Sequence, residues 1–308
     1  MIPRIRLRDF IEDTHGWIYS VATYDNEERV GCVLRYIPEQ SGERADRQGI
    51  RYKKFDFEDA YAFIAQHKPH YAGSVHRIPL ADVRRVFKPE VEMPQIAASH
   101  QRVAMLMEIL GVPAGFIGCT GSLLIGLDNE ASDIDIVVYG PAWFSAQETL
   151  RKAIQDGRVE DLSDEMWEKV YRKRRPEISF EDFVLHERRK WNRGQIGGTY
   201  FDLLFTRSYE ELDKIVIRKG EVLRGATITA RVTDASLGFD SPAVYEVEHE
   251  EITRVLSFTH TYSGQALAGE TIEACGVVER HGSERWLIVG TTREARGEYI
   301  VSRTLLEE

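Results

Sequence analysis

Apolar positions along the chain change period more than once, and the changes mark out the elements. Residues 17–24 and 30–37 are rich in aromatic and branched side chains and flank the polar stretch 25–28, a pattern that predicts a β-hairpin. A polar loop over 38–49 leads to a third strand at 51–55. Asp56 then caps a helix whose apolar stripe is Ala60, Tyr61, Phe63 and Ile64. Helical spacing returns over 94–110, where Ile96, Val103, Leu106, Met107 and Leu110 share one side and Gly111 ends the run. Residues 116–117 close a short buried strand, 118–126 form a glycine-rich turn, and 133–138 alternate between two faces as a strand. Helices follow over 142–155, 163–174 and 179–191, the last two starting at a Ser with an acid in the first turn. A strand over 199–205 and a short helix over 209–217 complete this region. Beyond 226 the period is two again, with strands at 227–232, 243–247, 270–278, 286–289 and 299–301.

These elements predict an α+β chain of three domains. Residues 1–90 form an N-terminal α+β module. Residues 91–220 form a mixed sheet with helices, carrying a helical insertion over 141–198. Residues 221–308 form a small β-barrel, and the glycine-punctuated stretch 269–278 resembles the strands of OB-fold barrels.

Charge refines this division. The formal net charge is −10, and residues 221–308 hold fifteen acids against eight Arg and no Lys, a net −7. A polyanion is repelled by such a surface, so any nucleic-acid contact is expected upstream. The insertion is the basic part, with Arg172, Lys173, Arg174 and Arg175 near the end of one helix and Arg188, Arg189 and Lys190 near the end of the next. Cys32, Cys119 and Cys275 are far apart and form no Cys-x-x-Cys pair, which fits reduced thiols. His67, His70 and His76 cluster in sequence without an acid or Cys at zinc-ligand spacing. No stretch has the length and apolarity of a membrane span or of a signal peptide, so the expected location is the cytoplasm.

Candidate chemistry concentrates in 118–140. On the strand over 133–138, Asp133 and Asp135 point the same way while Ile134 and Ile136 enter a core. Two neighbouring carboxylates repel unless a cation lies between them. Hard divalent cations take oxygen ligands and are shared between one or two carboxylates and substrate phosphates, so the pair predicts a phosphate-handling metal site.

Gly121-Ser122 followed by Asp133-Ile134-Asp135-Ile136 resembles the core motif of the DNA polymerase beta-like nucleotidyltransferase superfamily. Asp202, within 199–205, stands where that family places a third acid on a neighbouring strand. The resemblance spans about a third of the chain, and the three-part arrangement is similar to uncharacterised archaeal proteins that carry a nucleotidyltransferase domain. It implies a transferase of the 2.7.7 class that moves a nucleoside monophosphate, from ATP or another nucleoside triphosphate, to an acceptor hydroxyl with release of pyrophosphate. Asp133, Asp135 and Asp202 are then the catalytic and metal-binding residues for two Mg2+ ions, with Mn2+ as a substitute, and Gly121 and Ser122 hold phosphates. Many small family members carry an Arg just after the Gly-Ser turn. Here Leu123, Leu124 and Ile125 fill those places. Lys190 and Arg193, nearest in sequence to the third acid, are expected to supply the missing nucleotide contact. The acceptor is open between RNA or another nucleic acid, a protein and a small molecule, and the oligomeric state is open too. The alternative reading is a nucleotide- or nucleic-acid-binding adaptor that has kept the fold without the chemistry.

Overall fold

The computed structural model describes residues 3–214, 217–291 and 295–307. The chain divides into two compact units, Met1–Val159 with Gly194–Lys214, and Glu160–Arg193 with Ile215–Glu308. The N-terminal module and the Asp-bearing sheet belong to one body, and the insertion is divided: its first helix stays with the Asp-bearing sheet and the other two join the C-terminal strands.

The first unit holds two sheets. In the N-terminal sheet the strands lie in the order Arg44–Ala45, Arg51–Lys54, Arg29–Pro38, Ile18–Val21, Phe10–Asp13, Val83–Phe87, and His76–Pro79 also pairs with Arg29–Pro38. The expected hairpin is present, with Ser20 opposite Val33 and Val21 opposite Cys32. Its apolar face packs Ile11, Tyr19, Val30 and Leu34 against Ala60 and Ile64 of the helix Phe57–His67. Asp56 caps that helix by accepting from the Asp59 amide at 2.9 Å. His76 is fully buried, and burial lowers its pKa to about 4, whereas His67 stacks on Phe63.

The helix expected over 94–110 is two helices, Pro89–Ser99 and Gln101–Leu110. His100 between them adopts an extended backbone, which lets Ile96 and the Val103, Leu106, Leu110 stripe both reach the interior. Gly111 closes the second helix in the left-handed conformation, as expected.

The second sheet has the order Arg193–Ile196, Thr199–Thr206, Ile134–Tyr139, Ile117–Thr120. The two central strands run parallel and the last pair antiparallel. Trp143, Ala146, Leu150 and Ala153 form the buried face of the helix Ala142–Gln155. Of the helix expected over 209–217, a 3-10 turn at Tyr209–Glu211 is present, and residues 215 and 216 lie outside the described residues.

A buried ionic network fastens the N-terminus to this sheet. Arg6 pairs with Glu90 at 2.9 Å, Glu90 accepts from the Tyr139 hydroxyl at 2.9 Å, and the Arg6 guanidinium lies 3.5 Å from the Tyr139 ring centroid. Beside it Lys88 pairs with Asp9 at 2.5 Å and donates to Tyr209. Burial raises the Asp9 carboxyl, against the pull of Lys88.

The second unit combines the helices Asp164–Arg174 and Phe180–Arg189 with the six strands Glu221–Leu237, Ala243–Glu248, Arg254–Ser257, Glu284–Val289, Thr271–His281 and Tyr299–Ser302, in that spatial order. Ser163 and Ser179 cap the two helices as expected, accepting from the Met166 and Asp182 amides. The long first strand pairs with Ala243–Glu248 through one end and with Thr271–His281 through the other.

Candidate active site

Three adjacent strands build the site from backbone register. Ile134 and Ile136 are buried, so the period of two leaves Asp135 on the other face, partly exposed, with Asp133 exposed just before the strand begins. Asp202 is the parallel-register partner of Asp135, and Thr120 is its antiparallel partner on the opposite side. Register partners on neighbouring strands sit about 4.8 Å apart and share a face. The third acid predicted from a strand some seventy residues downstream is therefore brought beside the first pair.

Gly121 lies against this cluster. Its φ of 73° belongs to the left-handed region, and a Cβ there would approach Asp135 Oδ2 to 2.5 Å. A side chain at 121 would thus both strain the turn and cover the carboxylate. Gly118, one strand position from Cys119, is needed for another reason: a Cβ would meet the backbone of Pro89, where the helix Pro89–Ser99 crosses the sheet. Ser122 is half-buried in the one-turn helix Gly121–Leu124, while Leu123 and Leu124 are buried. Cys119 is fully buried and its thiol is pushed well up by burial, as expected of a packing residue rather than a nucleophile.

Two neighbours escaped the reading of the sequence. The Tyr200 hydroxyl donates to Asp202 Oδ1 at 2.9 Å and so orients that carboxylate. Tyr200 lies two positions before Asp202, and strand periodicity could have found it. The Thr120 hydroxyl donates to the Arg8 carbonyl at 2.6 Å, and Arg8 has a φ of 75°, uncommon for a residue with a side chain. Nothing local in the sequence announces that contact.

Lys190 and Arg193 make contacts within the insertion. Both are buried; Lys190 belongs to the second unit, and Arg193, the residue at the boundary between the units, opens the strand Arg193–Ile196. Lys190 Nζ lies 2.5 Å from Glu187 Oε1 and donates to the Thr261 carbonyl at 2.8 Å, and Arg193 Nη1 lies 2.8 Å from Glu187 Oε2. Arg174 adds a third cation to the same carboxylate at 3.2 Å. Burial pushes the Glu187 carboxyl up, but Arg193, Lys190 and Arg174 outweigh it and hold it down at about 2. Burial also draws the Lys190 ammonium down to about 8. Both side chains are thus engaged by a buried acid of the insertion.

Among the described residues, no set of three acids, His or Cys is gathered closely enough to hold a metal ion by itself. The donor chemistry nonetheless fits Mg2+, which keeps several ligand positions for water and substrate phosphate and takes only one or two carboxylates from the protein. Asp135 and Asp202 side by side, with Asp133 exposed alongside, are such a set.

A mixed sheet that presents a Gly-Ser turn, an Asp-x-Asp sequence and a third acid in register is consistent with a nucleotidyltransferase fold. The nucleotidyltransferase domain family matches residues 111–216, and the chain belongs to that family. Over nearly its whole length it is similar to an uncharacterized protein of Methanocaldococcus jannaschii, with 36% identity over 336 aligned residues that cover 96% of this chain and 98% of the relative. No solved structure shows significant similarity to the chain. Among the described residues, no helix is long and apolar enough to cross a membrane.

Proposed function

We propose that the chain transfers a nucleoside monophosphate from a nucleoside triphosphate to an acceptor hydroxyl, a reaction of the 2.7.7 class that depends on Mg2+ or Mn2+. The observation that carries this reading is the register of Asp202 with Asp135 beneath an uncovered turn at Gly121. In the reaction the acceptor oxygen bonds to the α-phosphorus, the bond from the α-phosphorus to the bridging oxygen breaks, and pyrophosphate leaves with that oxygen. The acceptor proton passes to Asp202 or to solvent. Bound Mg2+ would be held by Asp133, Asp135 and Asp202, and supplies charge neutralisation for the phosphates. The protein's own part is positioning. Tyr200 fixes the Asp202 carboxylate, the absence of a Cβ at Gly121 keeps Asp135 open, and Ser122 with the backbone of the turn orients the phosphates.

The six-stranded sheet of the second unit supports an OB-like barrel. Numbered along the chain, its first five strands pair in the order first, second, third, fifth, fourth, and the fourth pairs again with the first; the third and fifth run parallel. Three unbridged cysteines fit a reducing compartment, and we place the protein in the cytoplasm.

The test is incubation with each labelled triphosphate, Mg2+ and total RNA, comparing wild type with Asp135→Asn. Label is expected in RNA, protein or a small molecule with wild type, and a loss of at least a hundredfold is expected in the variant. Undiminished turnover in Asp135→Asn overturns the assignment. Triphosphate binding that ignores Mg2+ and yields no product from the wild type would favour the adaptor.

A further inference from the structure

A triphosphate brings several negative charges to a site that already holds three carboxylates, and a protein cation there would add to the neutralisation that bound Mg2+ supplies. Two expected sources are already accounted for. Leu123 and Leu124 after the turn are buried, and Lys190 and Arg193 are committed to Glu187. A third source comes from the N-terminal sheet, which shares a compact unit with the acids.

Arg44 sits on the short strand Arg44–Ala45, whose partner is Arg51–Lys54. Its Nη1 donates to the Leu127 carbonyl at 3.3 Å and to Ser132 Oγ at 3.2 Å. These two residues bracket the loop between the Gly-Ser turn and the acid strand, and Ser132 immediately precedes Asp133. The anchor is itself held, because Ser132 Oγ accepts from the Asn129 amide at 2.9 Å and the Ser132 amide returns to the Asn129 carbonyl. Both protein contacts of Arg44 use Nη1. Its Nε is buried and has no hydrogen-bond partner among the described residues. The edge formed by Nε and Nη2 is the one a guanidinium offers bidentately to a phosphate, and a buried donor left without a protein partner calls for a ligand or water to complete it. The electrostatics agree. Burial raises the Tyr36 phenol, Arg35 and Arg44 draw it down, and Asp135 pushes it up, so Arg44 and Asp135 act on one buried group.

We propose that Arg44, delivered by the N-terminal sheet, binds the phosphates of the nucleoside triphosphate and takes the place of the missing cation after the Gly-Ser turn. This deepens the nucleotidyl-transfer reading and rests on it.

The experiment is calorimetric binding of a nonhydrolysable triphosphate and of the matching monophosphate, each with Mg2+, to the full chain. The variants are Arg44→Gln, which keeps a donor for the loop but loses the charge and the fork, Arg44→Lys, and Ser132→Ala, which loosens the anchor and keeps the arginine. Arg44→Gln is expected to weaken the triphosphate ten- to a hundredfold and the monophosphate much less. Arg44→Lys should fall between Arg44→Gln and wild type, and Ser132→Ala should lose only a few-fold. Equal triphosphate binding by wild type and Arg44→Gln overturns the assignment of Arg44 alone. So does an equal loss in Arg44→Gln and Ser132→Ala, which would make Arg44 only a staple of the loop. A wild-type chain that binds no triphosphate overturns this proposal together with the transfer reading.

Discussion

Single residues decide whether the acids stay usable. At Gly121 a methyl group would collide with the Asp135 carboxylate and sit in a left-handed backbone, so two costs fall on one substitution. Gly121→Ala is expected to cut transfer at least tenfold, with a smaller fall in thermal stability, measured as initial rate and unfolding temperature on the same sample. An unchanged rate would mean that the turn does not shape the site. At His186, in the second unit, the chemistry concerns protons instead. The Ser302 amide donates to Nε2 at 3.0 Å, so Nδ1 carries the hydrogen that goes to the Asp182 carbonyl at 2.7 Å. Burial, with Lys190 and Arg189 nearby, lowers its pKa to about 4. The unfolded chain takes up this proton near pH 6.5 and the folded chain near 4, so stability falls as pH drops through that window. The difference is worth roughly 3 kcal/mol. Urea denaturation of wild type against His186→Gln between pH 7 and 4 should show the variant losing that part of the slope; parallel slopes would dismiss it.

Elements bring such residues together, and they do so differently for strands and helices. Strand periodicity was legible: the alternation that buries Ile134 and Ile136 while exposing Asp135 needs only neighbouring residues, and so do the Ser163 and Ser179 caps. The break at His100 was not legible, because the apolar stripe runs on in sequence while the backbone bends to fill the interior. The destination of the basic helices was not legible either. Basic residues in a last turn satisfy the helix dipole wherever the helix goes, so the pattern carries no information about partners. In the fold Arg174, Lys190 and Arg193 meet one buried acid, Glu187, while Arg188 pairs with Asp164 and Arg189 with Glu270. Glu187→Ala leaves Arg174, Lys190 and Arg193 with no common carboxylate, and breaking such a pair costs about 3–5 kcal/mol. The loss should appear as a lowered midpoint in urea. By contrast, changing Lys190 and Arg193 together to Met should leave triphosphate affinity per folded molecule unaltered; a large selective loss of affinity would restore them to the site.

At the scale of the molecule, the N-terminal sheet and the transferase sheet share one compact unit, joined through Arg6, Glu90 and Tyr139. Glu90→Ala strands the buried Arg6 guanidinium and is expected to destabilise both sheets together, by about 3–5 kcal/mol. Hydrogen exchange should register the loss equally in 29–38 and in 134–139. Loss confined to one sheet would separate them again. The same arrangement allows Arg44, eighty-nine residues before Asp133, to touch the loop that carries it.

The sequence alone determined the Gly-Ser turn, the alternating acids, the hairpin and the helix caps, because each depends on backbone period and on hydrogen bonds within a few residues. Its Asp-x-Asp spacing and a later acidic strand also foretold three acids, of which parallel register aligned Asp202 with Asp135. Only the tertiary structure decided which charges serve one another. Packing across more than eighty residues brought Arg44 to the acid loop, whereas Lys190 and Arg193 met Glu187, three and six residues before them, because its burial made it their shared partner.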